Sequence, residues 1–121
     1  MARYVILRHD PPERSSNAVH WDFMIEAGPV LRTWALEAEP FAGRSIPAAA
    51  LPDHRLAYLD YEGPISDNRG NVTRCAFGEF EITAETLARL ELRLTGNPWS
   101  GLVTIRQDAA NPQRWTFDFS V

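Results

Sequence analysis

Turn-forming residues are spread along the whole chain and limit the length of any regular element. Nine prolines and seven glycines divide the 121 residues into short pieces, with the prolines running from Pro11 to Pro112. Several of these pieces alternate between apolar and polar residues. Short alternating segments between turn signals are typical of all-β sandwiches and barrels. We therefore expect an all-β fold, a small closed or partly open β-barrel with a polar central cleft and little helix.

Residues 20–26 illustrate the alternation that defines the strands. Trp21, Phe23 and Ile25 fall on one face of this segment. His20 and Asp22 fall on the other, because successive side chains of a strand point to opposite faces. The same reading, together with short apolar runs, predicts strands over residues 3–8, 20–26, 30–36, 72–82, 87–94, 99–106 and 114–119. Residues 56–61 form a further short apolar segment.

Two regions depart from simple alternation. Residues 37–52 contain three prolines and a glycine, so we expect a loop there. Farther along, a helix could begin with Thr83 or Thr86 as its cap. However, Leu90, Leu92 and Leu94 recur at every second position, which favours a strand from residue 87.

The bulk composition is that of one ordinary globular domain, so we expect a single domain over residues 1–121. The lone cysteine, Cys75, excludes an internal disulfide framework and favours a reducing compartment, which predicts a cytoplasmic protein. No run of 18 apolar residues exists, so we expect no membrane partner.

The net charge of −4 argues against a protein that coats DNA by long-range attraction. All twelve basic residues are nevertheless arginine, a side chain that grips a phosphate group through two parallel hydrogen bonds. A genome rich in arginine codons explains the absence of lysine equally well.

His20 and Asp22 are the residues that first indicate a metal site. They lie on one face of a strand, roughly 6–7 Å apart, so both can reach one ion at about 2.0–2.2 Å. His9 ends the first strand, where a neighbouring strand can bring it to the same ion. Two imidazoles and a carboxylate suit Mn²⁺, Fe²⁺ or Zn²⁺ and leave coordination positions open. Taken alone, a His-x-Asp pair is a common accident, and His54 and Tyr58 fit a turn cap and a core aromatic.

Four motifs in order narrow these alternatives. They are Arg8-His9-Asp10, His20-Trp21-Asp22-Phe23, Leu31-Arg32-Thr33-Trp34-Ala35, and Asp53-His54 followed by Tyr58 and Glu62-Gly63. Together they resemble the 3′-phosphoesterase domain of bacterial DNA ligase D and its stand-alone relatives. The resemblance is strongest from residue 4 to residue 65 and weak after about residue 80.

This resemblance implies a Mn²⁺-dependent barrel enzyme that removes 3′-phosphates and terminal ribonucleotides from DNA ends during break repair; Zn²⁺ or another transition metal stays open. The family's metal ligands fall on His9, His20 and Asp22. Its phosphate-contacting histidine falls on His54 and its tyrosine partner on Tyr58. The implied partners are DNA 3′ ends or primer-templates, and ligase, polymerase or end-joining proteins.

Departures from the family pattern keep other functions open. Met24 stands where the family has an arginine, which removes a phosphate contact, and the spacing between His9 and His20 is longer than usual. We interpret three arginines as candidate replacements for that contact, namely Arg44, Arg55 and Arg69. One alternative is a non-catalytic or attenuated module that binds a nucleic-acid end or a protein. Another is an unrelated metal-binding barrel that acts on a small phosphorylated molecule.

Overall fold

Antiparallel strands make up most of the computed structural model, which describes residues 2–13 and 15–121. A short 3₁₀ helix, Leu56–Leu59, interrupts them. The strands are β1 (Arg3–Asp10), β2 (His20–Ala27), β3 (Val30–Leu36), β4 (Ser45–Arg55), β5 (Gly63–Pro64), β6 (Asn71–Thr86), β7 (Arg89–Asn97), β8 (Ser100–Asp108) and β9 (Asn111–Ser120). The all-β prediction is confirmed. No helix among the described residues is long and apolar enough to cross a membrane.

The sheet closes into a ring through its longest strand. Neighbouring strands follow the order β1-β2-β3-β4-β9-β8-β7-β6-β5, and β1 also pairs with β6. β6 achieves this by using residues 71–79 against β1 and residues 77–86 against β7. The closing contact satisfies the backbone groups of β1, which would otherwise form an exposed edge of the sheet.

The inside of the ring is apolar. All eight long strands contribute to one core, in which Phe23 packs against Phe117 at 5.3 Å between ring centroids and Trp34 against Trp115 at 5.8 Å. The opposite face of β2 carries His20, Asp22 and Met24. The polar cleft therefore lies on the outer face of the ring, which corrects its expected central position, because the larger apolar side chains of β2 occupy the interior.

A second, smaller core covers this outer face. Val5 and Leu7 of β1 and Met24 of β2 pack there with Leu59 of the 3₁₀ helix and Val72 of β6. β1 and β2 are thus buried on both faces, which explains their nearly continuous runs of buried residues. The 3₁₀ helix is held against the sheet by this core, next to the polar residues of β2.

β4 occupies much of the segment expected to be a loop over residues 37–52. The prediction is wrong for residues 45–52 because the two prolines avoid the usual cost of proline in a sheet. Pro52 lies where the pairing with β3 shifts register, opposite Arg32, so no regular ladder bond is lost. Pro47 lies beyond the last β3 pair, and its carbonyl accepts a bond from the Glu37 amide at 3.0 Å.

The ambiguous segment around residue 87 is a β-hairpin. β6 ends at Thr86, residues 87 and 88 form the turn, and β7 begins at Arg89. Leu90, Leu92 and Leu94 are all buried in the main core, so the period-two interpretation is confirmed and the helical alternative is wrong. The strand begins two residues later than predicted because residue 87 lies in the turn.

Candidate metal centre

Two adjacent strands bring the three predicted metal ligands together. His9 of β1 lies directly opposite His20 in the antiparallel register, and Asp22 lies two residues farther along β2 on the same face. Directly opposed residues of such a pair have their Cβ atoms about 4.5–5.5 Å apart. The two imidazole rings are 4.6 Å apart, and the ligand atoms of all three residues lie within 4.8 Å of one another.

Asp22 is the centre of this group and is only 3% exposed. His20 Nδ1 lies 2.8 Å from one carboxylate oxygen and His9 Nδ1 lies 3.6 Å from the other. Burial alone would raise the pKa of Asp22, but the hydrogen bond from His20 and the nearby His9 ring outweigh it and hold that pKa below its ordinary value. Asp22 therefore supplies a full negative charge at neutral pH.

A backbone carbonyl orients the His9 ring. His9 Nε2 donates to the carbonyl oxygen of Arg69 at 2.8 Å, since that oxygen can only accept. When the ring is neutral, its lone pair is then on Nδ1, so the atom that faces Asp22 is the one that can bind an ion. Such outer contacts are what fix ligand tautomers in metal sites.

Gly70 allows this close approach of loop and strand. Its φ is +100°, and a Cβ placed there would lie 2.0 Å from the carbonyl oxygen of Asp10. Only glycine fits this position without moving one of the two backbones. The residue next to Arg69 is thus the one that permits its carbonyl to reach His9.

The donor set fits a divalent transition metal. Two imidazole nitrogens and one carboxylate oxygen suit a borderline ion, and three protein ligands leave positions open for substrate or water. Asp22 is buried and ionised, which is costly unless its charge is paired. A cation held between His9, His20 and Asp22 would supply that pairing.

We call His9, His20 and Asp22 the metal group. A cleft of about 490 Å³ opens beside it. Its floor is apolar, and polar side chains stand around it. The lining residues are Leu7, His9, Asp22, Met24, Asp53, His54, Arg55, Tyr58, Ile65, Ser66, Arg69 and Val72. All predicted site residues except His20 and Arg44 line this cleft. His20 completes the metal group beside it, whereas the Arg44 guanidinium lies 5.0 Å from the Phe41 ring and does not line it.

His54 and Tyr58 stand together on the wall of the cleft. His54 Nδ1 donates to the Pro52 carbonyl at 2.8 Å, which leaves Nε2 for a ligand. The His54 and Tyr58 rings are 5.8 Å apart, and the Arg55 guanidinium lies 5.7 Å from the Tyr58 ring. Tyr58 belongs to the 3₁₀ helix, which Leu59 anchors in the outer core.

Two further residues shape the cleft in ways that the sequence did not reveal. Ser66 accepts the Arg69 guanidinium through its carbonyl at 2.8 Å and its hydroxyl at 3.1 Å, so the Arg69 side chain is held at the rim. The Asp53 carboxylate also lines the cleft, beside His54. The Gly70 that follows Arg69 was the one available signal that this loop closes tightly on its neighbours.

Comparison with known proteins is consistent with this geometry. The profile of the DNA ligase D 3′-phosphoesterase domain matches residues 9–107. The chain is also similar to the multifunctional non-homologous end joining protein LigD of Pseudomonas aeruginosa, with 31% identity over 67 residues. That match covers 54% of this chain but 7% of the relative, so the chain spans a small fraction of the relative's length.

Proposed function

Since this chain belongs to the DNA ligase D 3′-phosphoesterase domain family, we propose that it is a metal-dependent phosphoesterase that removes a 3′-phosphate or a 3′-terminal ribonucleotide from DNA ends. Family membership supports a role in processing DNA ends during repair. The observation that carries the proposal is the convergence of His9, His20 and Asp22 at the edge of a cleft that also presents His54 and Tyr58.

The proposed roles begin with the metal group. His9, His20 and Asp22 would hold the ion, which when bound supplies Lewis-acid activation of a phosphoryl oxygen and lowers the pKa of a bound water. Asp22 contributes the negative charge, and the Arg69 carbonyl keeps the His9 ring in the orientation that offers Nδ1. The chain therefore pre-positions all three ligands before substrate arrives.

His54 and Tyr58 would act on the phosphate itself. Because His54 Nδ1 is committed to the Pro52 carbonyl, Nε2 is the atom that hydrogen-bonds a phosphate oxygen or, when protonated, gives its proton to the leaving oxygen. The Tyr58 hydroxyl would donate to a non-bridging oxygen. The aromatic contact between the two rings holds them in a fixed relation.

Arg55 and Arg69 both line the cleft, and we propose that they supply the positive charge for phosphate binding. Met24 stands where the family has an arginine, and its thioether offers no donor. The guanidinium of Arg69 is held by Ser66 at the rim, and that of Arg55 lies over Tyr58.

The decisive experiment is an end-processing assay. Metal-free protein is supplied with Mn²⁺ and a 3′-phosphorylated primer-template, and release of phosphate is followed. We expect turnover that Asp22→Asn and His54→Ala abolish, and that Arg55→Ala and Arg69→Ala reduce. Arg114→Ala, an exposed arginine of β9 outside the cleft, serves as the matched control and keeps full turnover. Unchanged turnover in Asp22→Asn would refute the proposed role of the metal group.

Met24 favours one alternative, a non-catalytic module that binds a nucleic-acid end. An apolar side chain at the floor of the cleft weakens the grip on a dianionic phosphate while leaving the metal ligands in place. Metal binding and DNA-end binding without any turnover would support this alternative. Turnover of free nucleotides only would instead indicate a small phosphorylated substrate.

Several finer assignments stay predictions. We propose manganese as the physiological ion, a cytoplasmic location, one domain over residues 1–121, and ligase, polymerase or end-joining proteins as partners. Elemental analysis of protein purified without added metal tests the first of these directly.

A further inference from the structure

A second cavity of about 220 Å³ opens beside the cleft. The two cavities share Arg55, Tyr58, Ile65 and Ser66 as lining residues, so they are neighbours separated by one layer of side chains. We call the smaller one the side cavity. Its volume is below the range of about 300–1,000 Å³ that is usual for drug-sized ligands, so it suits a single ring system.

Two tyrosine rings form a corner of the side cavity. The rings of Tyr58 and Tyr61 are 6.0 Å apart and perpendicular to each other. Tyr61 is 37% exposed, so part of its ring is accessible to a ligand. Its hydroxyl donates to the Pro64 carbonyl, so the ring is held against its own turn. The corner therefore exists before any ligand arrives.

The chemistry of the side cavity suits a neutral aromatic ligand. Among the described residues that line it, Arg55 is the one charged residue, and the others are aromatic, aliphatic or small. An aromatic surface combined with an arginine is the combination that binds bases of single-stranded nucleic acids. Within residues 2–13 and 15–121, no carboxylate lines the side cavity to favour a cationic ligand instead.

We propose that the side cavity binds the nucleobase of the 3′-terminal nucleoside, stacked on Tyr61, while the attached phosphate lies in the cleft. The inference rests on the proposed function for the position of the phosphate.

The test compares a substrate that has the base with one that lacks it. One 3′-phosphorylated oligonucleotide carries a normal terminal nucleoside, and the other ends in an abasic sugar. Tyr61→Ala is expected to raise KM for the first by about 5- to 150-fold, the range for the loss of one base–aromatic stack. KM for the abasic substrate should not change. An equal effect on both substrates, or no effect on either, would overturn the inference.

A fluorescence measurement separates this inference from the proposed function. A terminal 2-aminopurine loses fluorescence when it stacks, and the titration is carried out with EDTA so that no turnover occurs. Wild-type protein and Tyr61→Phe should quench the signal, whereas Tyr61→Ala should not. If no metal supports turnover but this pattern holds, the base site stands and the proposed reaction falls. Quenching that persists in Tyr61→Ala, or is absent in the wild type, rules out the base site.

Two controls guard against trivial explanations. Thermal unfolding of each variant shows whether Tyr61→Ala still folds, and Tyr61→Phe keeps the ring while losing only the bond to Pro64. Phe41→Ala removes an exposed ring that lines neither cavity, so it should leave both substrates and the quenching unaffected.

Discussion

Replacement of Asp22 by asparagine removes the negative charge of the proposed metal centre while nearly preserving its shape. The carboxylate is 3% exposed and lies within 3.6 Å of both histidine rings. An amide at this position has one oxygen and no charge, so it is a much poorer ligand for a divalent ion. We expect Asp22→Asn to lose most of the stabilisation that Mn²⁺ gives to the folded protein.

The size of this loss follows from binding linkage. An ion at 100 times its Kd stabilises the folded state by about 2.7 kcal/mol. At about 2.1 cal/mol/K per residue, unfolding 121 residues carries an entropy of about 0.25 kcal/mol/K, so Tm rises by about 11 °C. Loss of an outer-shell partner weakens binding by about 10–100-fold, and loss of a direct ligand should reach at least the upper value. The remaining stabilisation is then about 0.4 kcal/mol, or a rise in Tm of about 2 °C.

Thermal unfolding with and without Mn²⁺ measures this difference. Asp53→Asn is the matched control, because it removes a carboxylate from the same cleft but outside the metal group. We expect the control to keep the full shift in Tm. A full shift in Asp22→Asn, or an equal loss in both variants, would show that the ion is not held by Asp22.

Three further outcomes follow from other parts of the structure. Burial raises the pKa of Tyr4 to about 12, above its unfolded value of about 10, so the free energy of unfolding should be constant up to about pH 10 and fall as the pH rises toward 12. Tyr4→Phe should flatten this fall in denaturant titrations, and an unchanged slope would contradict the assignment. Met24→Arg should raise the turnover of 3′-phosphorylated DNA, because it restores a hydrogen-bond donor to the floor of the cleft. The same change should lower Tm, since a longer charged side chain in a packed apolar cluster costs about 1–3 kcal/mol. Lower turnover would show that the floor of the cleft does not contact phosphate. Gly70→Ala should reduce stability and weaken Mn²⁺ binding by about 10–100-fold in calorimetry, because the new Cβ meets the Asp10 carbonyl and displaces the Arg69 carbonyl from its bond to His9. Gly43→Ala, with a φ of +85° and nothing within 4 Å of the added Cβ, isolates the backbone strain and should leave Mn²⁺ binding intact.

Alternation along the chain was sufficient to predict most strands and the shared face of His20 and Asp22. It could not tell which face of the closed sheet is the inside, since that depends on which strands surround it. Here the aromatic side chains of β2 fill the ring, and its polar face meets the outer core. The sequence therefore predicted the residues of the cleft correctly, but it placed the cleft on the wrong side of the sheet.

Non-local pairing explains the misread prolines of β4. The cost of proline in a strand depends on whether its position needs an N–H for a neighbour, and the neighbour is distant in sequence. Pro52 falls at a register shift opposite Arg32, which nothing within the local segment signals. The contact of the Arg69 carbonyl with His9 could not be predicted for a related reason. Every residue carries a carbonyl, and only the tertiary fold determines which one contacts His9.

Because His9 pairs directly with His20, the distance between their side chains does not limit the length of the segment that connects them. Ligands that face each other across an antiparallel pair keep their separation whatever the length of the connection between the strands. The spacing between His9 and His20, which is longer than in the family pattern, is thus compatible with an intact metal group. Residues 11–19 are therefore a natural position for lengthening, shortening or exchange in engineered variants that alter what approaches the proposed ion, while its three candidate ligands keep their places.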